Sequence, residues 1–240
     1  MPENSSASID PSRSNGQPRQ KDKDYFMDDV FVVFQVERKL FRVPIFMFKE
    51  SEVFRGMFSL PQLEECNVEG TSEENPIVLP DQIGAEAFKQ LLRVLYPNRI
   101  ILRQPPTFNA DQLVSILKLS TQWYFFDARK FAIKYLKALI ERDKIGLAKR
   151  VLIGREGRVA KWIEKAYICL IQRTQSISDP EASEIGWRTS LALLRIRETI
   201  LQNRIVNYNA SMIRSIVKTT FADELKKIRL DEAEYQAKRA

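Results

Sequence analysis

Hydrophobic residues in the first third of the chain fall in short runs that are typical of strands. Residues 30–36 combine β-branched and aromatic side chains, as expected of a buried strand. A polar turn at 37–39 leads to residues 41–43, whose alternation predicts a second strand. Pro44 is expected to end it, because proline cannot donate to a strand ladder. Residues 76–79 predict a third short strand before the next proline.

Elsewhere the apolar spacing changes to the three- and four-residue intervals of amphipathic helices. Ser51 is positioned to cap a first helix over residues 52–58, and Asn109 a later one. Asp127 is expected to cap the following helix, and Ser178 to open another with a capping box. This order of elements predicts the α+β class: a small unit of short strands packed with helices, followed by an all-helical extension.

The pattern divides the chain into four segments. Residues 1–24 lack aromatic side chains and are rich in polar residues, which favours a disordered arm. Residues 25–140 hold the strands and the first helices, with a core motif over about 28–104. Residues 141–222 predict the helical extension, and residues 223–240 predict a charged helical tail.

Composition excludes most enzymatic chemistry. The chain has no His and only two Cys, Cys66 and Cys169, so imidazole-dependent catalysis and zinc sites built on His are excluded. Neighbouring carboxylates at 64–65 and 73–74 lie in a polar loop, where solvation is expected. No dinucleotide or phosphate-loop glycine motif appears. We therefore expect neither an enzyme nor a cofactor or metal, and, without a signal or membrane-spanning run, an intracellular protein of cytoplasm or nucleus.

Charge is concentrated in the second half. Residues 141–240 hold twenty basic and thirteen acidic side chains, which account for the whole net charge of +7. Arg158, Lys161 and Lys165 form a candidate basic face beside Trp162. Such a face is either the solvated side of an amphipathic helix or a surface for an acidic partner.

Nucleic acid is the alternative partner for the basic half. Residues 154–157 form a GxxG sequence, which clamps phosphates in RNA-binding domains of the KH type. That function needs flanking strands, whereas the surrounding pattern predicts a turn between two helices, with Gly154 ending the first. The sequence therefore favours a protein partner over nucleic acid.

A second candidate surface follows Pro44. Four large apolar residues are consecutive at 45–48, and they cannot all face inward on a short helix. Two interpretations stay open: a helix wedged into the core, or a partner or dimer surface formed by Ile45, Phe46 and Phe48. The aromatic run 123–126 poses the same question, and its position between two helices favours packing.

The order of these elements resembles that of a BTB/POZ domain over residues 28–97, completed by the helices of 111–140. Pro44 stands where that family commonly has a His. The residues that carry the resemblance are mainly predicted core positions: Ser51, Val53, Phe54, Met57, Phe58, Phe88, Leu91, Leu92, Leu95 and Tyr96.

The second half is similar to the helical extension of fungal BTB proteins. The resemblance implies a non-enzymatic module that binds proteins, either by self-association or as an adaptor that presents a client to a cullin-type ubiquitin ligase. Its marker positions in this sequence are Trp162, Ala166, Tyr167, Leu170, Ala182, Gly186, Arg197 and Glu198.

Overall fold

The computed structural model describes residues 30–60, 68–97, 107–202 and 209–237. Its three strands are β1 (Phe31–Val36), β2 (Lys39–Pro44) and β3 (Ile77–Val78). The disordered arm predicted for residues 1–24 lies outside the described residues.

The strands form one small sheet with the order β2-β1-β3. β1 pairs with β2 in antiparallel register, with Phe34 opposite Phe41, and with β3 in parallel register, with Phe34 opposite Ile77. Because side chains alternate across a strand, Val32, Phe34 and Val36 all point to the same face and are buried there.

Helices make up most of the remaining described chain, and together with the sheet they confirm the α+β class. A 3-10 helix over Ile45–Glu50 directly follows β2. The α-helices are α1 (Glu52–Phe58), α2 (Ala85–Leu95), α3 (Ala110–Gln122), α4 (Phe126–Glu141), α5 (Leu147–Glu156), α6 (Ala160–Gln172), α7 (Asp179–Ile185), α8 (Trp187–Gln202), α9 (Ala210–Thr220) and α10 (Ala222–Ala237).

Helix starts follow the predicted capping residues with one exception. The Ser51 hydroxyl accepts the Phe54 N–H at the start of α1, and Asn109 forms a capping box with Gln112 at α3. The prediction for Asp127 is wrong. α4 begins two residues earlier than such a cap would place it, at Phe126 after Phe125, so Asp127 lies in the first turn, where its charge complements the helix dipole.

The described residues form two apolar cores. The first lies between the sheet and α1 to α4, and its centre is aromatic: Phe34, Phe48, Phe54, Phe88 and Phe125. The second lies among α5 to α10 and includes Ile163, Tyr167, Leu170, Leu193 and Val217.

The second half packs directly onto the first. Val159 and Trp162 follow the α4–α5 connection in sequence, yet both belong to the first core. The Arg129 guanidinium of α4, itself buried, donates to the Gly157 carbonyl at 2.8 Å. These contacts therefore fix the positions of the candidate surfaces of the two halves relative to each other.

Candidate interaction surface

The 3-10 helix after β2 has a buried side and an exposed side. Pro44 precedes it with φ −59°, the value that the proline ring imposes. Phe48 points inward and is 0% exposed. Its ring centroid lies 4.7 Å from that of Phe34 and 4.8 Å from that of Phe54. Phe48 is thus a central residue of the first core.

Phe46 points outward from the same helix and is 51% exposed. Its ring meets Tyr96 edge to face, with centroids 5.8 Å apart. The Tyr96 hydroxyl donates to the Pro44 carbonyl, which holds the tyrosine against the end of β2. Burial, together with the nearby charge of Glu50, raises the pKa of Tyr96. Phe46 is therefore an exposed aromatic ring on a fixed base, which lowers the entropy lost when a partner covers it.

The three candidate residues at this surface have different environments. Ile45 is half-buried and packs on the first core, Phe46 is exposed, and Phe48 is inside. A 3-10 helix has about three residues per turn and separates adjacent side chains onto different sides, so Phe48 belongs to the core while Phe46 stays a candidate for a partner surface. Phe48 cannot contribute to an outer surface of this fold.

The candidate basic face is only partly a face of one helix. Lys161 and Lys165 are exposed on α6, opposite the buried Trp162. Arg158 lies in the turn before α6, in the left-handed region at φ +53°, so its side chain is not part of the helical stripe. Glu164 lies on the same helix, and two arginines already pair with its carboxylate, Arg229 at 3.0 Å and Arg214 at 3.7 Å.

The GxxG sequence has a structural role. Its first three residues are the end of α5, and after Gly157 a turn leads to α6, so helices and a turn surround it rather than strands, as predicted. Gly154 does not end α5 as predicted, since it lies inside the helix. An added Cβ would lie 2.6 Å from Cγ1 of Ile163 there, and at Gly157 it would lie 2.5 Å from Cδ2 of Leu117. Both glycines permit close approach of neighbouring helices.

Arg155, inside the GxxG sequence, is held within the protein. Its guanidinium bonds Glu224 of α10 at 2.7 Å and the Tyr167 hydroxyl at 2.9 Å. It also donates to the Ile185 carbonyl at the end of α7. It also donates to the Thr189 hydroxyl of α8 at 2.9 Å. This arginine is therefore a structural link among five helices and is not directed at an external phosphate.

Sequence patterns missed an apolar stripe on the outside of α8. Helical spacing groups Leu201 with Leu193 on one face, but Leu201 is exposed, and Trp187, Leu191 and Leu194 are exposed with it. Helical periodicity alone assigns one apolar face to the core. α8 has apolar residues on two sides, and only the positions of its neighbours decide which side is covered.

Groups suited to chemistry are sparse. Across the described ranges no cluster of His, Cys, Asp or Glu could hold a metal ion, and no helix could cross a membrane. Of the predicted carboxylate pairs, 64–65 lies outside the described residues. In the other pair, a hydrogen bond from Ser72 lowers the pKa of the exposed Glu74, which keeps it ionised and unsuited to act as a general acid near neutral pH.

Comparison with known proteins identifies the first half. The family model of the BTB/POZ domain matches residues 18–142, slightly more than half of the chain. No curated protein and no solved structure matches the sequence. The matched range includes the sheet, the 3-10 helix with Phe46, and α1 to α4. The chain therefore belongs to the BTB/POZ domain family.

Proposed function

We propose that this protein is a non-enzymatic adaptor of the fungal BTB type, which self-associates through its BTB domain and binds a client with its helical extension. BTB/POZ domains generally mediate protein–protein interaction and self-association. The observation that carries the proposal is the exposed, fixed ring of Phe46 within such a domain. Hot spots of interfaces are commonly aromatic anchors of this kind.

Self-association through this surface has a simple physical basis. Covering the exposed half of a Phe side chain contributes about 1 kcal/mol from the hydrophobic effect. In a two-fold symmetric dimer each copy supplies the same patch, so Ile45 and Phe46 of both copies contribute buried apolar area. Val53 and Leu60 are also exposed within the next fifteen residues and extend the apolar area available on this segment.

The assignment of the second half to the fungal-type extension rests on the structural roles of its marker residues. The Arg197 guanidinium donates to the Leu170 carbonyl at 3.1 Å and to the Gln175 carbonyl at 2.7 Å, which satisfies backbone groups at the end of α6. Gly186 ends α7 at φ +91°, a conformation that favours glycine. Trp162 joins the first core. These roles support residues 141–222 as one packed extension.

In the adaptor proposal, the client or a cullin-type ubiquitin ligase binds surfaces other than Phe46. Lys161 and Lys165 supply a charged rim that selects an acidic protein surface. Titration of the full chain with a purified cullin subunit, followed by calorimetry, tests the ligase. Saturable binding supports the adaptor role, and the absence of binding at high micromolar concentration would limit the proposal to self-association.

Sedimentation of the full chain tests self-association. We expect a concentration-dependent dimer that Phe46→Asp converts to monomer, because a carboxylate would have to be buried in the interface. Tyr135→Asp is the matched control, since it changes an exposed aromatic of the same domain, on α4. A monomeric wild type, or a Phe46→Asp variant that dimerises normally, would refute this part of the proposal.

A further inference from the structure

The outer side of α8 carries an apolar seam that no described part of the chain covers. Trp187, Leu191, Leu194 and Leu201 are 60%, 50%, 36% and 73% exposed. With Glu198 they follow the steps four, three, four and three, which is the heptad spacing by which one helix packs along another. We call these five residues the α8 seam.

The opposite side of α8 is already occupied. Ser190, Leu193 and Ile196 are buried, and the two apolar side chains belong to the second core. The helix is therefore held in place without the seam. An isolated exposed Leu needs no explanation, but four large apolar residues in register along one helix indicate an interface.

The charges beside the seam indicate its occupant. Arg188 and Arg195 are both exposed, each directly follows a seam residue, and they are seven positions apart. Within the described ranges neither takes part in an ion pair, whereas Arg197, on the other edge, donates to backbone carbonyls. Two free guanidinium groups in heptad register match carboxylates on a partner helix.

A second copy of α8 fits this seam poorly. In an antiparallel pair, Arg188 of one helix would lie near Arg195 of the other, which brings like charges together. In a parallel pair, the arginines would face the opposite edge of the partner, which carries Ser190 and Arg197 and offers no carboxylate. Charge thus disfavours self-pairing.

We propose that the α8 seam binds an amphipathic helix of another protein, with leucine-type side chains along its apolar stripe and Asp or Glu flanking it. Glu198 interrupts the apolar stripe, so the partner places a Lys or Arg opposite it, and this pair fixes the register. The inference deepens the proposed adaptor role by naming the class of client, and it rests on that role. It involves a different surface from Phe46.

Designed peptides test the seam directly. The first probe is a three-heptad helical peptide with Leu at the seam-facing positions, Lys opposite Glu198 and Glu at the flanking positions. The second is identical except that Lys replaces each flanking Glu. We expect the acidic-flank peptide to bind the full chain, by fluorescence anisotropy, on the order of 10-fold tighter than the second at low salt, with the difference shrinking as salt rises.

Variants connect that binding to the seam. Leu191→Asp with Leu194→Asp should weaken the acidic-flank peptide on the order of 10-fold or more, because charge replaces buried apolar area. Arg188→Glu with Arg195→Glu should reverse the preference between the peptides. Leu230→Asp is the control, since Leu230 is 60% exposed on α10. All the sites are exposed, so circular dichroism should give one spectrum for all variants.

The contrary outcomes are distinct. Binding of neither peptide, or equal binding of both, would overturn the proposal. Monomerisation by Leu191→Asp with Leu194→Asp would assign the seam to a second copy instead. Seam-dependent binding to vesicles with anionic lipid, but not to the peptides, would assign it to a membrane. By contrast, loss of dimer in Phe46→Asp with unchanged peptide binding is the expected result, because the α8 seam and Phe46 are different surfaces.

Discussion

The hydroxyl of Tyr235 donates to the backbone carbonyl of Ser120 at 3.1 Å, across 115 positions of the chain. Tyr235 is only 2% exposed, although it lies near the end of the last helix. Its ring stacks on Tyr124, with centroids 5.2 Å apart, and the Arg129 guanidinium lies 4.4 Å from its centre. The buried side chain of Tyr235 thus anchors α10 to the BTB domain.

Removing this tyrosine should destabilise the whole chain. For Tyr235→Ala we expect the free energy of unfolding to fall by about 3 kcal/mol, because an aromatic side chain leaves a cavity between the halves. Tyr235→Phe should cost about 1 kcal/mol, since only the hydrogen bond to Ser120 is lost. Urea unfolding followed by circular dichroism measures both.

The exposed Leu230 provides the control on the same helix, and Leu230→Ala should change stability by less than about 0.5 kcal/mol. If Tyr235→Ala behaved like Leu230→Ala, α10 would not be fastened to the BTB domain in solution.

The packing around Gly157 is so close that adding even a methyl group there should lower the stability of the fold. Its Cβ would lie 2.5 Å from Leu117 Cδ2 and 2.9 Å from the Ile153 carbonyl oxygen. We expect Gly157→Ala to destabilise by about 1–3 kcal/mol, as overpacking does, because helices α3 and α5 must separate. Thermal unfolding reports the loss, and when Gly157→Ala is combined with Leu117→Ala the total loss should be smaller than the sum of the two single losses, because the shorter side chain makes room for the methyl group.

Gly56 is the matched control for that substitution. It lies inside α1, and an added Cβ would meet no atom within 4 Å. Gly56→Ala should therefore stabilise by about 0.5–1 kcal/mol through helix propensity alone. Equal effects at Gly56 and Gly157 would contradict the packing argument.

Sequence patterns determined the local features well. Ser51 and Asn109 were recognisable as caps, because capping depends only on a side chain and the backbone three residues away. The class and the BTB family followed from the order of such elements. The prediction that Asp127 caps α4 is wrong because the helix begins at Phe126, after Phe125, without a capping side chain. The packing of these two rings in the fold overrides the local preference for a polar cap.

Sequence patterns failed where the answer depends on distant neighbours. Periodicity predicts a charged helical tail over 223–240, and no residue near Tyr235 in the chain indicates that its side chain contacts Ser120 and Arg129. Phe46 and Phe48 look alike in sequence, and only the tertiary fold makes one a core residue and the other a surface residue. Partner-binding surfaces are therefore the features that sequence periodicity predicts least well.

The Arg155–Glu224 pair should contribute more than an exposed pair. Both side chains are about a quarter exposed, and the Tyr167 hydroxyl bonds both of them at 2.9 Å. Glu224→Ala leaves the guanidinium without its carboxylate, and we expect a loss of about 2 kcal/mol in urea unfolding.

The pair of Arg229 and Glu164, at 3.0 Å, is the control because Arg229 is half exposed. Arg229→Ala should cost less than about 1 kcal/mol. A double-mutant cycle of Arg155→Ala and Glu224→Ala should give a coupling energy of similar size to the single loss, and independent effects would mean that the two groups do not interact in solution.

Acid should weaken the helical half through Glu181. Two hydrogen bonds from the Arg173 guanidinium, at 2.5 and 2.7 Å, lower the pKa of Glu181 from 4.5 to about 2. The carboxylate also accepts the Ser178 N–H at the start of α7. Because the folded pKa is the lower one, the stabilisation is complete above pH 4.5 and disappears as the pH falls towards 2. Because the Glu181 side chain is 24% exposed, solvent screening limits this stabilisation to about 1 kcal/mol.

Urea unfolding of the wild type and of Glu181→Gln between pH 7 and pH 2.5 tests this pH dependence. The variant should be less stable at pH 7 by about 1 kcal/mol, and the two stabilities should converge as the pH falls, because a protonated Glu181 resembles Gln in charge. Glu184→Gln, which changes an exposed carboxylate of the same helix, should follow the wild-type curve. A gap between wild type and Glu181→Gln that stays constant down to pH 2.5 would mean that the ionised Glu181–Arg173 contact does not stabilise the extension.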